Sequence, residues 1–261
     1  MPSNPLGRFF GGAHTEPAEA SVRPADDEVD MFGITHPGLK RAENQDHFLL
    51  ATVHPQIHVH GSSLPDADLP LTGSRFGTIM LVADGVGGAT DGGAAARVAT
   101  AEVTRYVASS LRCYHSVGRG RDDDFFAALR TAALQAHDAV RAEAASRNEP
   151  GRLATTLTLG IGVWPWLYVV QVGDSRAYVY TGGKLVQVTR DQTLAQDLVE
   201  SGVKKETMRD SPLHHVLSSA IGASEALPVV SRVDVRERGC ILLFCSDGLT
   251  KHVSNDEIAE H

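Results

Sequence analysis

The order of strand-like and helix-like stretches most limits the fold of this 261-residue chain. A continuous, β-branched apolar run at residues 78–83 is typical of a strand buried on both faces. Two alanine-rich stretches with helical spacing follow, at residues 93–111 and 124–145. Strand-like runs come next, at residues 155–163, 167–172, 176–181 and 184–189. This order predicts an α+β layered sandwich, in which antiparallel sheets pack against helices on the outside.

The two ends of the chain set the expected domain boundaries. Residues 1–30 are rich in Pro, Ala, Gly and charge without periodicity, which predicts a flexible N-terminal tail. Ordered structure is expected to begin at residues 31–35 and to continue as a strand at 47–53. A further strand at 239–245 precedes a helix that begins near Ser254. We therefore expect one domain over residues 31–261.

Composition excludes several classes of protein. A formal net charge of −8 argues against a nucleic-acid-binding surface, which needs clustered Lys and Arg. The three cysteines, Cys113, Cys240 and Cys245, form neither a disulfide framework nor a zinc motif, which favours a reducing, cytoplasmic setting. No apolar run reaches the length of a membrane span, so no membrane association is expected. Nothing in the sequence argues against a monomer.

Three aspartates directly follow apolar strands in segments of small residues. They are Asp84 in Ala-Asp-Gly-Val-Gly-Gly, Asp174 in Val-Gly-Asp-Ser-Arg and Asp247 in Cys-Ser-Asp-Gly-Leu. Hard divalent cations prefer oxygen ligands, so aspartates that converge at strand ends can form a cation site. Any one of these segments alone would be an ordinary Asp-Gly turn. The three together favour the cation site.

A fourth polar segment precedes the first strand, at residues 41–46, Arg-Ala-Glu-Asn-Gln-Asp. Arg41 offers a planar guanidinium that suits phosphate, and Asp46 offers a further carboxylate. Taken alone, this segment would be a solvated turn.

These four segments, in this order, resemble the metal-dependent protein phosphatases (the PPM or type 2C serine/threonine phosphatases), particularly their bacterial members. Further segments extend the resemblance over nearly all of the expected domain. They are Ala-Thr-Thr at 154–156, Thr-Arg-Asp-Gln-Thr at 189–193 and Leu-Ser-Ser-Ala-Ile-Gly at 217–222. The resemblance implies two antiparallel β-sheets flanked by α-helices. It also implies a catalytic domain that hydrolyses phosphoserine and phosphothreonine in proteins and opposes a Ser/Thr kinase.

The resemblance also implies the metal ligands. Asp84 would bridge two Mg²⁺ or Mn²⁺ ions, the carbonyl oxygen of Gly85 would bind one of them, and Asp247 the other. Asp174 would hold a third, weaker ion together with Asp247. A water that bridges the first two ions would attack phosphorus without a covalent phosphoenzyme.

Two more residues take implied roles at the substrate side of this site. Arg41 would bind the substrate phosphate, and Asp46 would hold metal-bound water or contribute to the metal site. Cysteine-dependent phosphatase chemistry is not indicated, because no Cys-x5-Arg arrangement occurs.

The chain departs from the family pattern at three places. Gln45 stands where many relatives carry Glu, and Val86 where eukaryotic relatives carry His. The family's last metal-binding aspartate, in a Gly-x-x-Asp-Asn segment, does not occur between Asp247 and His261. We therefore expect a C-terminally incomplete domain, either truncated or weakened as an enzyme. One alternative is a catalytically silent phosphatase-like module that binds phosphorylated partners. Another is a phosphatase of small phosphoserine anti-anti-sigma proteins.

Overall fold

The computed structural model describes residues 22–39, 41, 43–56, 73–86, 92–109, 122–208 and 211–261. The strands are β1 Asp46–Val53, β2 Gly77–Val86, β3 Ala154–Thr155, β4 Leu157–Val163, β5 Trp166–Val172, β6 Arg176–Thr181, β7 Lys184–Gln187, β8 Val229–Asp234 and β9 Ile241–Cys245. The α-helices are α1 Gly92–Ser109, α2 Asp122–Ser146, α3 Leu194–Glu200, α4 Lys205–Met208, α5 Asp247–Thr250 and α6 Asn255–Glu260. Short 3₁₀ helices occupy Asp26–Glu28 and Pro212–His215.

The strands form two antiparallel sheets, as the sequence predicts. The larger sheet has six strands in the order β1-β2-β4-β5-β8, with β3 paired to β2. The smaller sheet has the order β7-β6-β9. A Gly182-Gly183 turn connects β6 and β7, and both glycines have positive φ, which suits a tight hairpin turn. The expected α+β sandwich with helices on the outside is confirmed.

Helices α1 and α2 cover the outer face of the larger sheet. Because successive strand residues point to opposite faces, Leu81 and Tyr168 pack toward the helices while their neighbours point the other way. Ala99 of α1 and Phe125 of α2 are buried against them, and the rings of Phe125 and Tyr168 meet edge to face with centroids 4.6 Å apart. Full burial of a large apolar side chain is worth about 1.5–3 kcal/mol, so this layer is the main core.

A second, smaller core lies between the sheets. Met80 and Val169 of the larger sheet meet Ala177 and Val179 of the smaller one. Gly160 of β4 lies directly under the ring of Phe244 on β9, where a Cβ would have no room. The absence of a side chain at Gly160 therefore lets the two sheets approach closely at that point.

A cavity of ≈ 840 Å³ opens beside this second core, between the β1–β2 side of the larger sheet and β9. Apolar side chains, among them Leu50, Phe32 and Leu242, form much of its wall. Asp46 and Ser246 also line it, so the cavity extends to the first residue of β1 and to the end of β9.

Some elements differ from the sequence-based expectation. Residues 31–35 adopt no regular structure, and the strand expected at 155–163 is interrupted at Thr156 between β3 and β4. β8 was not predicted from the sequence. Residues 22–30, which fall in the predicted tail, include a 3₁₀ helix and contact the body of the domain: Arg75 donates to the carbonyl oxygen of Pro24 at 3.0 Å. The domain boundary itself stays a prediction. Among the helices of the described residues, none is both long and apolar enough to span a bilayer.

Candidate active site

Asp46 and Asp84 face each other at one end of the larger sheet. Asp46 is the first residue of β1 and pairs in register with Asp84, near the end of β2. Side chains on directly opposed residues of antiparallel strands lie close together. The charge of Asp46 accordingly raises the pKa of Asp84. Two carboxyl groups at this distance oppose each other's ionisation.

Asp174 and Asp247 reach the same end of the sandwich from the smaller sheet. Arg176, the first residue of β6, pairs with Cys245, the last residue of β9. Asp174 comes just before Arg176, and Asp247 follows Cys245 by two residues and begins α5. The pairing of β6 with β9 therefore places both aspartates at the same end of the smaller sheet. Lys251, which directly follows α5, forms an ion pair with Asp247.

The electrostatics show that the four aspartates form one group. Burial, and then the charges of Asp46, Asp247 and Asp174, raise the pKa of Asp84 to about 8. Burial, and then the charges of Asp247 and Asp191, raise the pKa of Asp174 to about 6, while Lys251 opposes that shift. A carboxyl group with a raised pKa ionises at neutral pH only when positive charge lies nearby, and a divalent cation can supply that charge.

The backbone of Asp84 is held by two threonines of the neighbouring strand segment. Its N–H donates to the hydroxyl oxygen of Thr156 at 2.9 Å. Its carbonyl oxygen accepts from the backbone N–H of Thr156 and from the hydroxyl of Thr155, each at 2.9 Å. The next residue, Gly85, packs on Gly92 at the start of α1 so closely that neither position has room for a Cβ. The predicted ligands Asp84 and Gly85 therefore lie on a fixed backbone.

Arg41 is held by the segment that leads into β1. Gln45 is buried, and its Oε1 accepts a hydrogen bond from Nη1 of Arg41 at 3.2 Å. The carbonyl oxygen of Gln45 accepts from the N–H of Gly85 at 3.2 Å, which joins this segment to the end of β2. Oδ1 of Asn44 accepts from the N–H of Asp46 at 3.0 Å and so shapes the turn into β1.

Sequence reasoning missed several residues that hold the acids in place. The hydroxyl of Ser246 donates to Oδ2 of Asp46 at 2.8 Å, and Ser175 contacts Thr156. Arg176 donates three hydrogen bonds to the carboxylate of Asp191, which lies near Asp174. Each of the three residues Ser246, Ser175 and Arg176 stands within two positions of a motif aspartate. That adjacency is the signal that could have identified them.

The donor chemistry of this group fits hard divalent cations. Its side chains offer carboxylate oxygens, which Mg²⁺ and Mn²⁺ prefer over nitrogen or sulfur ligands. Within the described ranges, no three Asp, Glu, His or Cys side chains are already drawn together as a complete ligand set. Strand pairing and mutual electrostatics nevertheless bring the four predicted aspartates to one end of the sandwich.

Cysteine chemistry does not account for this site. Cys245 is buried at the end of β9, and burial raises the pKa of its thiol to about 11. A thiol that stays protonated at neutral pH is a poor nucleophile. Cys240 is half-buried, and burial raises its pKa also. Cys113 lies outside the described residues.

Comparison with known proteins defines the class. The family model for protein phosphatase 2C matches residues 61–260, and the chain belongs to that family. It is 29% identical over 183 residues to the serine/threonine protein phosphatase PstP of Mycobacterium tuberculosis. This match spans 70% of the present chain but only 34% of the length of PstP. It is 28% identical to the serine/threonine phosphatase stp of Listeria monocytogenes, over 70% of each chain.

A solved structure agrees with these sequence matches. The catalytic domain of PstP, in complex with two manganese ions, is 25% identical to this chain with a TM-score of 0.56. The match covers 82% of this chain and 83% of that domain. The predicted resemblance to the bacterial type 2C phosphatases is thereby confirmed, as is the fold that it implied.

Proposed function

We propose that this chain is a divalent-cation-dependent protein serine/threonine phosphatase. The observation that carries the proposal is the convergence of Asp46, Asp84, Asp174 and Asp247 at one end of the sandwich, where burial and mutual repulsion raise the pKa of Asp84 to about 8. The names of the similar bacterial proteins support phosphorylated proteins as substrates. A Ser/Thr kinase that phosphorylates those substrates would be the opposing enzyme.

Within this proposal, the acids hold the cations and Arg41 holds the substrate. Asp84, the carbonyl oxygen of Gly85 and Asp247 would bind two ions of Mg²⁺ or Mn²⁺, and Asp174 with Asp247 would bind a third. Bound cations supply a water of lowered pKa and positive charge for the phosphoryl oxygens. Arg41, oriented by Gln45, would bind those oxygens through its planar guanidinium.

Asp46 would act from the opposite strand. The hydroxyl of Ser246 binds Oδ2 of Asp46, and strand pairing places this residue opposite Asp84, so Oδ1 would be the oxygen that acts at the site. That oxygen could accept a proton from the attacking water or bind a cation directly.

The test is hydrolysis of p-nitrophenyl phosphate and of a phosphothreonine peptide with Mn²⁺, with EDTA as the metal-free control. The variant is Asp84→Asn, and the matched control is Asp124→Asn, an exposed aspartate on α2. The proposal predicts Mn²⁺-dependent turnover that Asp84→Asn lowers at least about 100-fold and Asp124→Asn leaves unchanged. A folded chain without turnover contradicts the proposal. If that chain still binds the phosphopeptide, the catalytically silent module becomes the better description.

A further inference from the structure

Two buried hydroxyl groups meet between the strand segment that carries Asp84 and the loop that carries Asp174. Oγ1 of Thr156 and Oγ of Ser175 lie 2.7 Å apart, and either can donate the hydrogen bond. The two residues are 1% and 0% exposed, so water does not compete for this bond. They lie 19 positions apart in sequence and belong to different segments. The bond therefore joins two acidic segments that the chain does not join locally.

Each of these two residues also contacts or belongs to the backbone of one acidic segment. Oγ1 of Thr156 accepts the N–H of Asp84 itself, at 2.9 Å. Ser175 is the residue after Asp174, and its carbonyl oxygen accepts from the hydroxyl of Thr158 at 2.9 Å. A shift of either hydroxyl would consequently move the backbone at Asp84 or at Asp174.

Packing leaves the Thr156 side chain little freedom. It lies against Gly173, where a Cβ would come within 2.7 Å of Cγ2 of Thr156. The N–H of Gly173 in turn donates to Oε1 of the buried Gln192 at 2.8 Å. Gly173, the residue before Asp174, is thus held by Thr156 and by Gln192, and the Thr156 methyl group forms part of this packing.

We propose that Thr156 and Ser175 are positioning residues that fix the separation between Asp84 and Asp174 and so set the divalent-cation affinity of the site. The inference rests on the proposed function, because it assumes that these acids bind cations. Residues behind a ligand commonly change metal affinity 10–100-fold when they are replaced, because they orient the ligand.

The test combines Mn²⁺ titration calorimetry with thermal unfolding of the EDTA-treated protein. Thr156→Val keeps the shape and removes the hydroxyl, and Ser175→Ala removes the partner hydroxyl while the N–H of Asp84 keeps its acceptor. Thr156→Ser restores a hydroxyl without the methyl group. The matched control is Thr181→Val at the far end of β6, because the buried Thr181 hydroxyl has no hydrogen-bond partner among the described residues.

We expect Thr156→Val and Ser175→Ala to weaken Mn²⁺ binding about 10-fold or more at a temperature where each is fully folded. Thr156→Ser should recover most of the affinity, and Thr181→Val should bind Mn²⁺ like the unchanged chain. Unchanged affinity in both Thr156→Val and Ser175→Ala, with lower melting temperatures alone, would show a purely structural role and overturn the inference. Absence of Mn²⁺ binding in the unchanged chain would instead overturn the proposed function, and the inference with it.

Discussion

Gln45 is a buried amide that accepts a hydrogen bond from Arg41 without carrying charge. A glutamate at this position could orient the guanidinium equally well, but it would also neutralise much of its charge. The amide therefore leaves the positive charge of Arg41 available for a phosphoryl group.

Gln45→Glu tests whether the uncharged amide at this position leaves the charge of Arg41 available to a phosphoryl group. We expect the KM for p-nitrophenyl phosphate to rise several-fold with little change in kcat, because ground-state binding of the phosphoryl group weakens. Inhibition by inorganic phosphate should weaken in parallel. Steady-state kinetics at saturating Mn²⁺ measure both quantities, with Gln135→Glu on the exposed face of α2 as the control. An unchanged or lower KM would contradict the role assigned to the amide.

Asp84 gives the second prediction at the residue scale, which concerns pH. Its pKa is raised from 3.8 to about 8 in the folded protein, so the folded state binds more protons than the unfolded state between those values. Its contribution to stability is therefore full below about pH 4 and is lost as pH rises toward 8. Asp174, with a pKa raised to about 6, acts in the same direction over a narrower range.

Thermal unfolding in EDTA should accordingly show a melting temperature that falls between pH 5 and pH 8. Asp84→Asn, which cannot ionise, should flatten that dependence, and saturating Mn²⁺ should reverse it in the unchanged chain by stabilising the carboxylates. A melting temperature in EDTA that rises over this range, and that Asp84→Asn does not alter, would show that the four acids do not repel one another as described.

The loop between β5 and β6 is the element on which the geometry of Asp174 depends. Gly173 has a φ of +101°, which a side chain rarely adopts, and it lies against Thr156. Gly183, in the turn between β6 and β7, also has a positive φ, +76°, but a Cβ there would meet nothing within 4 Å. An alanine at either position would strain the backbone, but only an alanine at position 173 would also overlap a neighbouring side chain.

We expect Gly173→Ala to be more destabilising than Gly183→Ala by about 1–3 kcal/mol, because only the first adds overlap in a packed interior. Urea unfolding of both variants in EDTA measures the free energies. Gly173→Ala should also weaken Mn²⁺ binding. Equal losses of stability in the two variants would mean that the loop can shift away from Thr156 without cost.

Elements with strong periodicity could be predicted from the sequence. The helices expected at residues 93–111 and 124–145 are observed at Gly92–Ser109 and Asp122–Ser146, since alanine-rich helical spacing leaves few alternatives. β8 could not be predicted in the same way. Its sequence, Val-Val-Ser-Arg-Val-Asp, has a weak alternation, and it is half-exposed at the edge of the sheet. Pairing with β5, rather than local propensity, makes it a strand.

At the scale of the whole molecule, the sandwich brings together residues that are far apart in sequence. Asp84, Asp174 and Asp247 could be identified from the sequence because each follows an apolar run and precedes a small residue. Their supports could not, because those contacts depend on strand pairing over long distances. The hydrogen bond from Ser246 to Asp46 spans 200 positions, and the one from Asp84 to Thr156 spans 72. The register of the paired strands therefore determines the geometry of the site as much as the sequence motifs do.

The central claim is that the four aspartates form one divalent-cation site, and calorimetric titration with Mn²⁺ at pH 7 tests it most directly. The experiment is done in two buffers of different ionisation enthalpy, which reveals any protons released. Because the pKa of Asp84 is raised to about 8, binding should release on the order of one proton, and Asp84→Asn should abolish that release and most of the binding. Binding without proton release, or no binding by the folded chain, would contradict the claim.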